Sequence, residues 1–268
     1  MLFNKIMLKN CSIHAHIPFR KLNRYFDSLQ KSNINVELYI SADDLDSTSP
    51  DQFKEWGSTF RDKGIKLTFH APYMDLSPGS VDSKIRRVSL ERMIKLMDTA
   101  KILNPGIVTV HPGFDHWRND NNLNQWLSNS SSFWKEILQY TEDLNFRFTV
   151  ENIFEQTPET LLKLIENIAS PRFGFCFDTG HFNLFSKSPL DEWFKRLGSY
   201  LFETHIHDNN GEKDSHLPIG EGSFPFTSYF ELLSKMLVQP VLTFEAHSEE
   251  GVLESIKSLK KITGQEER

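Results

Sequence analysis

Six short apolar runs in this chain each end on a residue able to bind a metal ion: Phe69-His70, Val110-His111, Val150-Glu151, Phe177-Asp178, Thr204-His205 and Phe244-Glu245. A single His or Glu after a strand is ordinarily a solvated or hydrogen-bonded strand end. Six in series are different. Three acids and three imidazoles converging on one place would suffer desolvation and mutual repulsion unless cations neutralised them. Two further segments enlarge the set: Asp178-Thr179-Gly180-His181 places an imidazole one turn beyond an aspartate, and Asp214-Ser215-His216-Leu217-Pro218-Ile219-Gly220-Glu221-Gly222 adds a second acid and imidazole. Mixed nitrogen and oxygen ligands suit zinc, manganese or iron better than calcium or magnesium.

For these residues to meet, the strands that carry them must be parallel and arranged in a ring. The expected strands are Val36–Ile40, Lys66–Phe69, Ile107–Val110, Arg147–Val150, Gly174–Phe177, Tyr200–Thr204 and Val241–Phe244, with an early one near Ile6–Ile13. Between them, apolar residues recur at three and four, as in Phe53, Trp56 and Phe60 or Leu161, Leu164, Ile165 and Ile168, the mark of amphipathic helices on a sheet. Ser49-Pro50, Thr157-Pro158 and Ser188-Pro189 mark helix starts. Alternating strands and helices in 268 residues fit one (β/α)8 barrel over residues 1–262, with a frayed tail at 263–268. An open sheet would spread the six strand ends along a line, whereas a closed barrel gathers them on one face.

Composition narrows the class. With 38% hydrophobic residues and a mean hydropathy of −0.43, no run approaches the length that spans a bilayer. The start Met1-Leu2-Phe3-Asn4-Lys5 lacks a signal-peptide pattern, so a cytoplasmic enzyme with no membrane partner is expected. Cys11 and Cys176 form no metal pair or disulfide framework. A net charge of −6 does not favour a polyanionic partner. The sequence leaves the oligomeric state open.

The motifs His70-Ala71-Pro72-Tyr73, His111-Pro112-Gly113, Glu151-Asn152, Asp178-Thr179-Gly180-His181, His205-Ile206-His207-Asp208, the Asp214–Gly222 segment and Glu245, in this order and spacing, resemble the xylose isomerase-like barrels, which embrace endonuclease IV and the sugar phosphate isomerases and epimerases. The resemblance to endonuclease IV implies up to three divalent ions per chain, zinc or manganese with iron as a further option. His70, His111 and Glu151 would hold the first. A bridging Glu151 with Asp178, His205 and Glu245 would hold the second, and His181, Asp214 and His216 the third. The single-metal isomerases look similar only at Glu151, Asp178, His205 and Glu245.

The ligand set points toward phosphodiester hydrolysis, but the loops point elsewhere. A DNA repair enzyme tracks phosphates with Lys, Arg and backbone donors. Here Ser41–Thr48 and His247–Glu250 are acidic, so DNA is not the expected partner. A small polar substrate is. Met74–Ser80 followed by Ile85-Arg86-Arg87 is similar to the sugar phosphate isomerase branch, with the two arginines as candidate phosphate or carboxylate holders. The arginine that ketose epimerases carry after the seventh-strand histidine is absent, with Gly211 and Glu212 nearby. The reading is a metal-dependent isomerase or epimerase of a sugar, sugar phosphate or related hydroxy-carbonyl compound. In it the metal stabilises an enediolate and Glu151 and Glu245 are the catalytic pair that exchanges the proton. Its alternative is an endonuclease IV-type trinuclear phosphodiesterase. His181, His207, Tyr73 and Trp117 are candidate substrate contacts, and His14 and His16 flank the first strand in the same alternating manner.

Overall fold

The computed structural model describes residues 11–119, 122–237 and 239–264, with the side chain of residue 118 not described. Its eight strands close into a parallel barrel in chain order. They are β1 Ile13–Pro18, β2 Asn35–Tyr39, β3 Leu67–His70, β4 Ile107–Val110, β5 Arg147–Glu151, β6 Phe173–Asp178, β7 Leu201–Ile206 and β8 Val241–Phe244. The ring closes where Ile13, His14 and Ala15 of β1 pair with Leu242, Thr243 and Phe244 of β8. β1 begins where the expected first strand ends, since its pairing with β2 and β8 starts at Ile13 and His14, and it turns His14 and His16 inward; most of the expected Ile6–Ile13 segment lies outside the described residues.

The helices are α1 Leu22–Ser32, α2 Ala42–Ser47, α3 Pro50–Lys63, α4 Ser83–Leu103, α5 His116–Asn119, α6 Leu123–Tyr140, α7 Glu159–Ile168, α8 Thr179–Phe185, α9 Leu190–Leu197, α10 Phe226–Ser234 and α11 Glu249–Thr263. Ser49 caps α3 with Pro50 in its first turn, as the sequence pattern requires. Ser41–Thr48 is not an acidic loop. Ser41 and Asp44 form a reciprocal capping box that starts α2, and Asp46 pairs with Arg92 and Lys95. The last helix runs through Thr263, which is buried and bonded to the Leu259 carbonyl; Gly264 caps it at φ 67°, and residues 265–268 lie outside the described residues. No helix among the described residues is long and apolar enough to cross a membrane.

Successive side chains on a strand face opposite sides, and here the two sides differ in kind. The outward set, with Val36, Leu38, Phe69, Val108, Val110, Phe148, Val150, Phe175, Phe177 and Phe244, packs into the apolar core under the helices. The inward set is polar. Glu203 Oε1 accepts from Thr68 and Thr243 at 3.2 and 2.6 Å, its Oε2 accepts from Thr109 at 2.8 Å, and Thr109 bonds Thr149 at 2.7 Å. Barrels of this kind usually fill that space with branched aliphatics. This one has a hydrogen-bonded threonine and glutamate floor.

Candidate metal centre

Two residues beyond that floor, at the next inward-facing position toward the carboxyl ends of the strands, the candidate ligands meet. Glu151 is their hub. Its Oε2 stands 3.4 Å from His70 Nε2, 3.4 Å from His111 Nε2 and 3.4 Å from His205 Nδ1, while its Oε1 lies 3.0 Å from His181 Nδ1. His70 donates through Nδ1 to the Ala71 carbonyl at 2.9 Å, which leaves Nε2 for the centre. His205 Nδ1 also lies 3.2 Å from Glu245 and 3.9 Å from Asp178.

The outer group comes from the loop after β7. Asp214 Oδ2 is 3.0 Å from His216 Nε2 and 3.5 Å from His181 Nε2. His207 joins it: its ring stacks on His216 with centroids 4.0 Å apart, Nδ1 lies 3.6 Å from Asp214, and Nε2 bonds Asp178 at 3.0 Å. The structure therefore brings His207, expected as a substrate contact, into the same cluster as the third ligand set. His181 straddles the two groups.

Local structure fixes each piece. Asp178 caps α8 by accepting from the His181 N–H, so the aspartate and the imidazole one turn later are set by the same helix start. Asn152 exchanges two hydrogen bonds with the Asp178 backbone, and Thr179 does the same with His207. Gly180 is required because any Cβ there would overlap the His207 ring. The Asp214–Gly222 loop hangs on Asp208, whose buried carboxylate accepts the N–H groups of Asn209, Gly220, Gly222 and Phe224 at 2.9–3.1 Å.

Donor atoms left over test whether a metal fits. Glu151 Oε2, His181 Nδ1, His205 Nδ1 and His207 Nδ1 are buried without a hydrogen-bond partner. Buried polar atoms are rarely orphaned, and each of these faces another candidate ligand: His205 Nδ1 faces Glu151 Oε2, His181 Nδ1 faces Glu151 Oε1, and His207 Nδ1 faces Asp214. Ligand atoms around a tetrahedral ion bonded at about 2.0–2.1 Å stand about 3.3 Å apart, close to the 3.4 Å spacings around Glu151 Oε2. The residues fit divalent ions. Without them, the groups charge one another. Burial opposes ionisation of Glu151 and Glu245, but the neighbouring imidazoles, His205 foremost, hold both carboxyls well below the usual range. Burial likewise opposes charge on His16, yet Glu245 and Glu37 raise it to about 10.

The sequence pattern of the xylose isomerase-like TIM barrel family matches residues 35–262. The chain belongs to that family. Within this xylose isomerase-like family, an uncharacterised protein of Methanocaldococcus jannaschii, MJ1311, is 31% identical over 73% of this chain and 69% of its own. A protein of Mycoplasmopsis pulmonis named probable endonuclease 4 is 25% identical over 78% of this chain and 82% of its own. Among solved structures, a D-tagatose 3-epimerase-like protein superposes with a TM-score of 0.82 at 26% identity, covering 95% and 97% of the two chains.

Not every candidate reaches the centre of this xylose isomerase-like barrel. Tyr73 does: its ring stacks on His111 with centroids 4.3 Å apart and edges toward His70. Trp117 sits on α5, 86% exposed, with its ring against His116. Arg86 is bonded to the Ser80 and Val81 carbonyls and Arg87 to Glu91, and neither touches a candidate ligand in these bonds. The strand-end pattern also does not reach Glu37, mid-strand in β2 and fully buried, which bonds His16 and His205. The signal that finds it is a glutamate on the inward alternation between Val36 and Leu38.

Proposed function

We propose that this protein is a metal-dependent isomerase or epimerase acting on a small uncharged sugar or related hydroxy-carbonyl compound. The observation that carries the reading is a cavity of about 330 Å³ beside β1 that reaches the edge of the centre: among the candidate ligands Glu245 and His216 line it, together with His16, Tyr39 and Tyr73. That volume suits a small molecule. Lys21 is the single lysine or arginine lining it, and Glu245 and Glu249 share the wall. Away from the metal centre and His16, a phosphate in this cavity would meet Lys21 as its one long cationic side chain, and Arg86 and Arg87 do not line it, so an uncharged sugar is favoured over its phosphate. The likeness to a D-tagatose 3-epimerase-like protein supports the same class.

In this reading His70, His111, Glu151, Asp178, His205 and Glu245 would hold the inner ions, and Asp214 and His216 with His181 or His207 the outer one. Bound divalent ions supply the positive charge that offsets an oxyanion formed when a proton leaves the carbon beside a carbonyl. The chain's own residues do the rest. Tyr39 and Tyr73 offer ring faces to the C–H side of a sugar. Glu151 and Glu245 both approach His205 Nδ1, so the two carboxylates border one side of the centre, and oxygens that the ions leave free would take and return the proton.

The test is solvent exchange. Protein loaded with manganese or zinc is incubated with a panel of ketoses and aldoses in heavy water, and a substrate should gain deuterium beside its carbonyl. Glu245→Gln, with its metal content verified, should cut exchange by about 10²–10⁴-fold. Exchange undiminished in that variant would overturn the role given to Glu245, and isomerisation without any deuterium uptake would overturn the proton-transfer reading.

A trinuclear phosphodiesterase of the endonuclease IV type is the second reading, favoured by the His207, Asp214 and His216 cluster and by the Mycoplasmopsis pulmonis relative.

A further inference from the structure

We propose that Glu37 is a positioning residue for the metal centre, which sets the tautomer of His205 and, through His16, the placement of Glu245. The inference rests on the metal-binding reading above. A carboxylate wholly inside a barrel is costly unless paired and hydrogen-bonded, and both ion pairs of Glu37 among the described residues are with imidazoles. Oε1 lies 3.1 Å from His205 Nε2, and Oε2 lies 2.7 Å from His16 Nδ1.

A neutral imidazole carries one N–H, and the stronger acceptor decides which nitrogen keeps it. Facing Nε2 of His205 is the Glu37 carboxylate at hydrogen-bond distance and geometry. Facing Nδ1 are oxygens of Glu151, Glu245 and Asp178 at 3.2–3.9 Å, none with hydrogen-bond geometry. With the proton on Nε2, the Nδ1 lone pair points among the three carboxylates, where a cation would sit. The reverse tautomer would set a lone pair against the Glu37 oxygen at 3.1 Å.

His16 extends the device. Its Nδ1 stands between Glu37 Oε2 at 2.7 Å and Glu245 Oε1 at 3.1 Å, so one imidazole on β1 ties the acid of β2 to the acid that follows β8. Because His205 Nδ1 lies 3.2 Å from the same Glu245 oxygen, the chain His205, Glu37, His16, Glu245 closes into a ring of side chains. Glu37 touches neither the cavity nor the reacting position, and acts through its two imidazoles.

Glu37→Gln keeps the volume but leaves one acceptor oxygen; its amide N–H₂ must face the other imidazole. Zinc binding is measured by competition with a chromophoric chelator, alongside thermal unfolding in EDTA and long-range ¹H–¹⁵N spectra of histidine-labelled, zinc-loaded protein. The expected result is an apparent affinity about 10–100-fold weaker for one zinc and loss of the slowly exchanging His205 Nε2 proton. Glu37→Asp, which retains the charge, should recover part of the affinity, and it carries the measurement if the Gln variant does not fold. Unchanged zinc affinity, even with a lower unfolding temperature, overturns the proposal by leaving Glu37 a packing role. A wild type that takes up no zinc overturns the metal-binding reading itself, and this inference with it.

Discussion

Replacing Asp208 by Asn should detach the outer group of candidate ligands while leaving the barrel intact. The Asp208 carboxylate accepts two N–H groups on each oxygen: Asn209 and Phe224 on Oδ1, Gly220 and Gly222 on Oδ2. An Asn of the same shape keeps one acceptor and turns an N–H₂ toward the other two donors. Hydrogen bonds to a charged group contribute about 1.5–3 kcal/mol each, so losing two predicts about 3–6 kcal/mol. The loop is partly exposed and its amides can recover water, which places the expectation near the lower figure, about 3 kcal/mol. That is a large share of the roughly 5–15 kcal/mol by which domains are stable. Urea unfolding in EDTA measures it. The same variant, dialysed against zinc and analysed for metal, should hold one ion fewer than wild type, because Asp214 and His216 ride on the loop that Asp208 pins. A variant that is destabilised by less than about 1 kcal/mol and keeps its full metal content would refute the assignment of Asp208 as the loop's anchor.

Burial lowers the His14 pKa to about 4, and with an unfolded value near 6.5 the unfolded chain binds more protons below that pH. Stability should therefore fall as pH drops from about 6.5 toward 4, by about 2 kcal/mol between pH 7 and 5, and His14→Gln should remove that increment from the difference between urea midpoints at the two pH values. An unaltered pH dependence would refute it. Gly180→Ala should force the His207 ring off Asp178 and cost about 1–3 kcal/mol, read as a lower unfolding temperature and a changed metal count; full metal content with an unmoved ring in a crystal would count against it. Duplex DNA with one abasic site should not be cut rapidly at low salt, where electrostatic binding is strongest, and fast metal-dependent incision would promote the phosphodiesterase reading over the isomerase.

The convergence of the six strand-end candidates was legible in the sequence because each terminates an apolar run, and a closed parallel ring makes such ends neighbours. The barrel's polar floor was equally present in the letters. Leu67-Thr68-Phe69-His70, Phe148-Thr149-Val150-Glu151 and Leu242-Thr243-Phe244-Glu245 share an alternation that, carried to Val36-Glu37-Leu38 and Phe202-Glu203-Thr204-His205, marks both interior glutamates. Attention to strand ends alone passes over them. Other features depend on tertiary neighbours. Ser41–Thr48 looks like an acidic loop until Asp44 is seen capping α2 and Asp46 paired with Arg92 and Lys95. Trp117 has the chemistry of a sugar platform, but nothing in its local sequence says that α5 turns it to solvent. Likewise, the spacing of Asp214 and His216 does not reveal that His207 rather than His181 stacks on His216.

Ring closure between β1 and β8 gives the centre a history during synthesis. As the chain leaves the ribosome, His70, His111 and Glu151 are out once β5 has been made, and Asp214 and His216 follow after β7. Glu245, however, follows β8, the last strand of the barrel, and its partner His16 lies on β1, the first. The inner group around His205 can be assembled only when the final strand docks beside the first. A nascent chain stalled before β8 holds imidazoles and carboxylates that cannot yet meet across the gap, so on the metal-binding reading proposed above full metal capture would be a late event that reports a finished barrel.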